Sequence, residues 1–248
     1  MGFLLSETGL DSVIGRHGTH RAVARLGPLG HAATSKRRRA ILSALALLSL
    51  FSVALIAARY AISEEPLFGG LIWNLVLAWV PFGLAIVVYD RHRAGARPIS
   101  LLPVGALWLL FLPNAPYILT DFKHLVPSPV VPLWVDIVVI AAPAWTGMLL
   151  GFLSLYLVQA VVRGLAGAAV AWLVAVGALV LSSFGIYLGR VLRWNSWDVV
   201  TDPNLLRQLG GIVIEPRALV MTTLLTGFLT LSYFVVYASM QFGIVEDR

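Results

Sequence analysis

Six long apolar runs decide what this chain can fold into. They cover residues 40–62, 68–89, 100–119, 133–159, 164–189 and 218–241, and inside them only Arg59 and Asp136 carry a charge. A helix of about 20 apolar residues rises about 30 Å, the thickness of a bilayer's hydrocarbon core. In that core every backbone N–H and C=O must be paired internally, so spans of this kind are helices. The rest of the composition agrees. Only 12% of the 248 residues are charged, about half the share in a soluble domain, and the mean hydropathy is +0.87. The first run is too long for the apolar core of a signal peptide and is read as a span. The expected fold is an all-α membrane protein, a bundle of about six transmembrane helices.

Apart from Arg59 and Asp136, the charges lie between the runs, and they set the orientation. The net charge of +6 might suggest nucleic acid, but it sits in short segments flanking the spans, so no nucleic-acid partner is expected. With the N-terminus inside, twelve basic residues fall on the cytoplasmic side and six on the other. This twofold excess predicts a multi-pass protein of the cell (plasma) membrane with both termini cytoplasmic. Residues 1–39, ending in SKRRR, read as a basic, disordered cytoplasmic tail, and residues 40–245 as one polytopic domain. Arginine outnumbers lysine 16 to 2, which suggests a GC-rich bacterial genome. The chain has no cysteine, which excludes disulfides, thiolate metal sites and cysteine nucleophiles.

Two polar clusters stand out, both on the extracytoplasmic side of this topology. The first is FLPNAPYILTDFKHL, residues 111–125. Pro113 and Pro116 each remove a backbone donor, so the third span must kink or stop there. Asn114 is placed to satisfy a freed backbone group, and Thr120 to cap a short new turn. In that turn Asp121 and His124, three apart, share a face. The second is SSFGIYLGRVLRWNSWD, residues 182–198. Tyr187, Arg190 and Arg193 recur every third residue, predicting one helical face that carries all three. Trp194 and Trp197 suit the headgroup level, and Asn195 and Asp198 follow in a turn. Farther on, DPNLLRQL (202–209) predicts a short interfacial helix that Gly210 and Gly211 end.

LPNAPYILTDFKHL and GIYLGRVLRWNSWD, with PLWVD at 132–136 between them, resemble the bacterial membrane-protein family called domain of unknown function 1361. The resemblance covers roughly residues 40–245 and implies a multi-pass bundle. It implies no activity.

If the two clusters meet, an arginine is the natural counter-ion for Asp121 or Asp198. Asp121 and His124 are the candidate catalytic pair, a carboxylate orienting an imidazole. Asn114, Tyr187, Arg190, Arg193, Asn195 and Asp198 are the candidate ligand-binding set, with guanidinium groups for an anionic ligand such as a lipid phosphate or a carboxylate. The alternative is a salt-bridge network that only pins spans three and five. Aspartate and imidazole are also reasonable metal ligands, with Asp136 or Asp198 completing a set, but the nearby arginines repel a cation. No metal and no cofactor is expected. The partners expected are the lipid bilayer and an anionic lipid or small molecule. Asn74, Gln159, Ser182, Ser183 and the threonines 222, 223, 226 and 230 read as hydrogen bonders between helices, and the Gly147/Gly151 and Gly185/Gly189 pairs as sites of close helix contact. Three function classes fit: an enzyme acting on a lipid-linked substrate, a transporter, and an accessory subunit. The lack of a charge at mid-depth weighs against a proton-driven transporter.

Overall fold

A computed structural model of the protein describes residues 28–63, 68–194 and 209–245. The chain forms two compact units, Met1–Ala46 and Leu47–Arg248. Of the first, the stretch from Pro28 is described, and it is the leading part of helix α1 (Pro28–Ser63). The helix therefore begins inside the segment expected to be disordered. Pro28 sits at the first helical position, where its fixed φ is an advantage, and the Lys, Arg and Ala that follow are good helix formers.

The other helices are α2 (Gly69–Arg93), α3 (Pro98–Phe111), α4 (Asn114–Tyr117), α5 (Leu133–Ala166), α6 (Ala168–Tyr187) and α7 (Pro216–Val245). A 3-10 segment, Ile118–His124, extends α4, and a π-helical turn, Leu188–Leu192, extends α6. There is no strand among the described residues. Six stretches are long and apolar enough to cross a membrane: Lys36–Ser63, Gly69–Arg93, Pro98–His124, Leu133–Ala166, Ala168–Leu192 and Pro216–Gln241. The expected all-α bundle of six spans is what the chain forms.

Of the six, α5 is the most enclosed. Its glycines explain how the interrupted third span fits beside it. A methyl group at Gly147 would lie 2.4 Å from the Ala115 carbonyl oxygen, and one at Gly151 would lie 3.0 Å from the Ala115 Cβ. From the other side, a methyl at Gly185 would lie 2.7 Å from Pro113 Cγ, and one at Gly189 would lie 3.0 Å from Tyr117 Cε2. The two small-residue pairs predicted to allow close contact thus form the two walls of one slot, and α4 is wedged in it.

The interruption itself follows from the two prolines. Pro116 has no N–H for the Leu112 carbonyl, and the Ala115 N–H takes that place at 3.1 Å. This leaves the Phe111 carbonyl without its usual Ala115 donor, and the Asn114 side-chain amide supplies one at 3.0 Å. The hydrogen-bond ladder is broken as predicted, yet Leu112, Pro113 and Ile118 all keep right-handed helical torsions, so the span does not stop. For the same reason Thr120 is not a cap. It lies inside the continuing 3-10 segment, and its hydroxyl donates to the Tyr117 carbonyl at 2.7 Å.

Other expectations divide. Asn74 and Gln159 do bond across helices, to Asp121 and Tyr233. The Ser183 hydroxyl bonds its own helix, at Leu179, and those of Ser182, Thr222, Thr226 and Thr230 are buried without a partner among the described residues. Apolar and aromatic contacts of Leu229 and Tyr233 against α6 hold this part of α7 instead. The interfacial helix expected at 202–209 lies outside the described residues except for Leu209. Residues 209–213 are helical, so Gly210 and Gly211 do not end the helix. Leu209 and Ile212 pack against the cluster of Tyr187, Leu188 and Ala218, and that packing outweighs the roughly 1 kcal/mol helix penalty of each glycine.

Candidate functional site

The interrupted span delivers Asp121 to the end of α6. The 3-10 segment puts its carboxylate inward, with the side chain only 8% exposed, opposite the π turn that carries Arg190. Arg190 Nη2 donates to Asp121 Oδ1 at 2.6 Å, and its Nε donates to the Thr120 hydroxyl at 2.7 Å. The guanidinium lies over the Tyr117 ring, 4.2 Å from its centre, and its side chain is 10% exposed. The second carboxylate oxygen, Oδ2, accepts from Asn74 Nδ2 on α2 at 3.1 Å. Asp121 therefore ties three spans together. Two charges this enclosed are tolerated because each is both paired and hydrogen-bonded.

His124 stands at the rim. Its Nε2 is 3.9 Å from Asp121 Oδ1, beyond hydrogen-bond length, and its side chain is 51% exposed. The two residues share a face as their spacing predicts. Lys123 and Arg193 are exposed beside them, and both Arg190 and Arg193 act electrostatically on Lys123. Arg193 adopts φ 62° and ψ 32°, and it has the only positive φ at a non-glycine among the described residues. A left-handed arginine costs about 1–2 kcal/mol, and strain of this kind gathers at functional positions. The Arg193 backbone N–H donates to the Leu188 carbonyl, and its side chain has no hydrogen-bond partner among the described residues. Neither has the Arg190 Nη1 group, since that side chain bonds through Nε and Nη2.

Several predicted members lie elsewhere. Tyr187, Arg190 and Arg193 do not share a face. The π turn between them hydrogen-bonds five residues back rather than four, and a spacing of three no longer stacks side chains. Tyr187 is buried and donates to Glu215 Oε2 at 2.8 Å, away from Asp121. Asn114 spends one amide donor on the Phe111 carbonyl. Asn195 and Asp198, and with them Trp197, lie outside the described residues. Trp194 packs in the cluster of Tyr187, Leu188 and Ala218. Asp136 is no neighbour ligand for Asp121 and His124, because Arg59 claims it: Nε to Oδ1 at 3.0 Å and Nη2 to Oδ2 at 3.4 Å, both side chains almost fully buried. The Arg59 guanidinium also lies 5.3 Å from the Phe68 ring centre and donates to the Ser63 hydroxyl. Among the described residues there is no cluster of three His, Asp or Glu side chains fit to hold a metal ion.

Two partners escaped the sequence reading. Asn74 is expected as a hydrogen bonder between helices but not at this site, and no partner is expected for Arg59. A signal for Arg59 was present. A charged residue inside an apolar run needs a counter-charge, and Asp136 is the one acid inside another run.

No curated protein and no solved structure matches the chain. A family model described as "Protein of unknown function (DUF1361)" matches residues 73–232, a narrower stretch than the 40–245 of the resemblance. It takes in Asn74, Asp121, His124, Arg190 and Arg193 and leaves out Arg59. With about two thirds of its length matched, the chain belongs to the DUF1361 family.

Proposed function

We propose that this protein binds an anionic group, from a small molecule or a lipid headgroup, at the extracytoplasmic face of a bacterial plasma membrane. The reading rests on one observation. Asp121 is already satisfied by Arg190 and Asn74, while Arg193, Lys123 and the outer edge of Arg190 remain as cationic donors around a half-exposed His124. Among the described residues, that arrangement has more positive charge than its own carboxylate uses, and guanidinium donors suit phosphate and carboxylate oxygens. The strained backbone of Arg193 supports the same view. The side of the membrane follows from the twofold excess of basic residues on the other face, which also keeps both termini cytoplasmic.

A second reading, an enzyme acting on a lipid-linked substrate, draws on the Asp121–His124 proximity. The carboxylate would orient the imidazole for proton transfer at a group held by Arg193. Transport and accessory roles have no observation of this kind behind them.

The test uses purified protein titrated with inorganic phosphate and with glycerol phosphate, followed by thermal unfolding. Phosphate should raise the midpoint of the wild type and of Arg97→Ala at the opposite end of α3. Arg193→Ala and Lys123→Ala should lose most of that rise. Equal phosphate-dependent stabilisation in all four proteins, or none in the wild type, would overturn the proposal.

A further inference from the structure

The segment that leads away from the polar site has an unusual make-up. Leu125–Trp134 reads LVPSPVVPLW, without a charge and with Ser128 as its one polar side chain. It follows His124 directly and runs into the first turn of α5. Val126, Val130 and Trp134 are 59%, 57% and 67% exposed. Large apolar side chains turned outward together on a connecting segment mark a surface that something other than water covers.

The backbone says what kind of cover it is. Pro127, Pro129 and Pro132 have no N–H to offer. The Ser128 hydroxyl accepts from the N–H groups of both Val130 and Val131, at 3.2 and 3.4 Å, and the Leu125 N–H donates to the Phe122 carbonyl at 3.2 Å. A loop that faces water leaves such donors to water. A protein partner supplies acceptors for them, about one hydrogen bond per 100–200 Å² of interface. Acyl chains supply none, so a backbone beside them must satisfy itself. The withdrawn donors therefore favour lipid over a protein. Depth agrees. Asp136 is bonded to Arg59 at 3.0 Å, which sets the start of α5 level with the end of α1. Tyr60 follows Arg59 and is exposed, and Trp134 precedes Asp136 by two residues, a rise of about 3 Å. Trp73, close to the start of α2, is exposed as well. Rings of this kind gather where the bilayer meets water.

We infer that Leu125–Trp134 is a membrane-inserting loop. It lies at the boundary between headgroups and acyl chains, in the leaflet on the side of the polar site. The side chains of Val126, Val130 and Trp134 enter the lipid, and the backbone stays at headgroup height. That boundary still admits water, so a thiol at position 128 remains within reach of a water-soluble reagent. His124 joins the loop without a spacer, and the Arg59–Asp136 pair pins its far end, so insertion holds the rim of the polar site at headgroup height. The inference stands whether or not that site takes an anion.

The test uses the full-length protein in phosphatidylcholine vesicles. The chain has no cysteine, so Val126→Cys, Val130→Cys and, at the exposed turn after α2, Ala94→Cys each carry a single fluorophore. Quenching is measured with iodide in the water and with a lipid that bears a nitroxide near its headgroup. Both loop labels should be quenched by the nitroxide lipid at least threefold more than the Ala94 label, and by iodide at least threefold less. Loop labels that behave like the Ala94 label would place the loop in water and overturn the inference. Labels shielded from both quenchers would mean that a protein surface covers the loop, which overturns it too. Ser128→Ala, which frees the Val130 and Val131 N–H groups, should raise iodide quenching of the Val126 label at least twofold, and Ser128→Thr, which keeps the hydroxyl, should not. A Val126 label indifferent to Ser128→Ala would refute the backbone argument on which the inference rests.

Discussion

Gly147→Ala adds one methyl group where the structure has no room for it. The new carbon would lie 2.4 Å from the Ala115 carbonyl oxygen, about 0.6 Å inside the 3.0 Å that real Cβ contacts respect. The obstacle is backbone, so no rotamer change relieves it. Either α4 retreats from α5, pulling the 3-10 segment and Asp121 with it, or α5 bends away. Overpacking of this kind costs about 1–3 kcal/mol. The control is Gly177→Ala on α6, where nothing lies within 4 Å, and which should be neutral or gain up to about 1 kcal/mol from helix propensity. Gly151→Ala falls between them, because its new methyl meets the Ala115 side chain at 3.0 Å. A double-mutant cycle sharpens the comparison. Ala115→Gly should couple favourably with Gly151→Ala and not with Gly147→Ala, since it removes a Cβ and leaves the carbonyl in place. The assay is equilibrium unfolding in mixed detergent micelles, read by circular dichroism. If Gly147→Ala proves as stable as Gly177→Ala, the slot that holds α4 does not exist as described.

Asp121→Ala should destabilise by about 3–5 kcal/mol, measured in the same unfolding assay, because it strands Arg190 in a site only 10% exposed and leaves the Asn74 amide unpaired. Arg190→Lys should recover little of an Arg190→Ala loss, since lysine cannot reach Thr120 and Asp121 as a fork while stacking on Tyr117; equal stability of Arg190→Lys and wild type would contradict the geometry. Asp136→Ala should likewise destabilise in that assay, because it removes the carboxylate that accepts from both Arg59 Nε and Nη2, and Asp136→Asn should recover part of the loss; an Asp136→Ala variant as stable as the wild type would refute this. Cysteines at Ser128 and Gly210 should react with an impermeant thiol reagent on intact cells and one at Gly95 should not; the reverse pattern would invert the proposed topology.

The bundle was legible because the bilayer leaves few choices. Long apolar runs must be helices, and their number and edges follow from composition. The interruption of the third span was equally legible, since Pro113 and Pro116 remove specific donors and Asn114 stands beside the carbonyl that loses one. What failed was the transfer of helical spacing beyond the helix. Tyr187, Arg190 and Arg193 look equivalent at every third residue, but a π turn and a left-handed Arg193 send them to different neighbours. No propensity rule marks a π turn, which here sits where Gly189 lets Tyr117 approach. The pairing of Asp121 with an arginine could be foreseen from charge alone. The choice of Arg190 and the role of Asn74 depend on how the six helices are arranged, and a single sequence does not encode that in any local pattern.

The buried polar contacts join spans that are far apart in order of synthesis. Arg59 on the first span waits for Asp136 on the fourth, Asp121 at the end of the third waits for Arg190 at the end of the fifth, and Gln159 on the fourth waits for Tyr233 on the sixth. A chain that enters the membrane from its N-terminus therefore carries Asp121 without its arginine until the fifth span arrives. Truncation after α5 would leave Asp121 with Asn74 alone. Such a fragment should be a preferred substrate for membrane proteases, while the complete chain is not. The site proposed to hold a ligand is in this sense also a checkpoint that no version of the chain ending before α6 can pass.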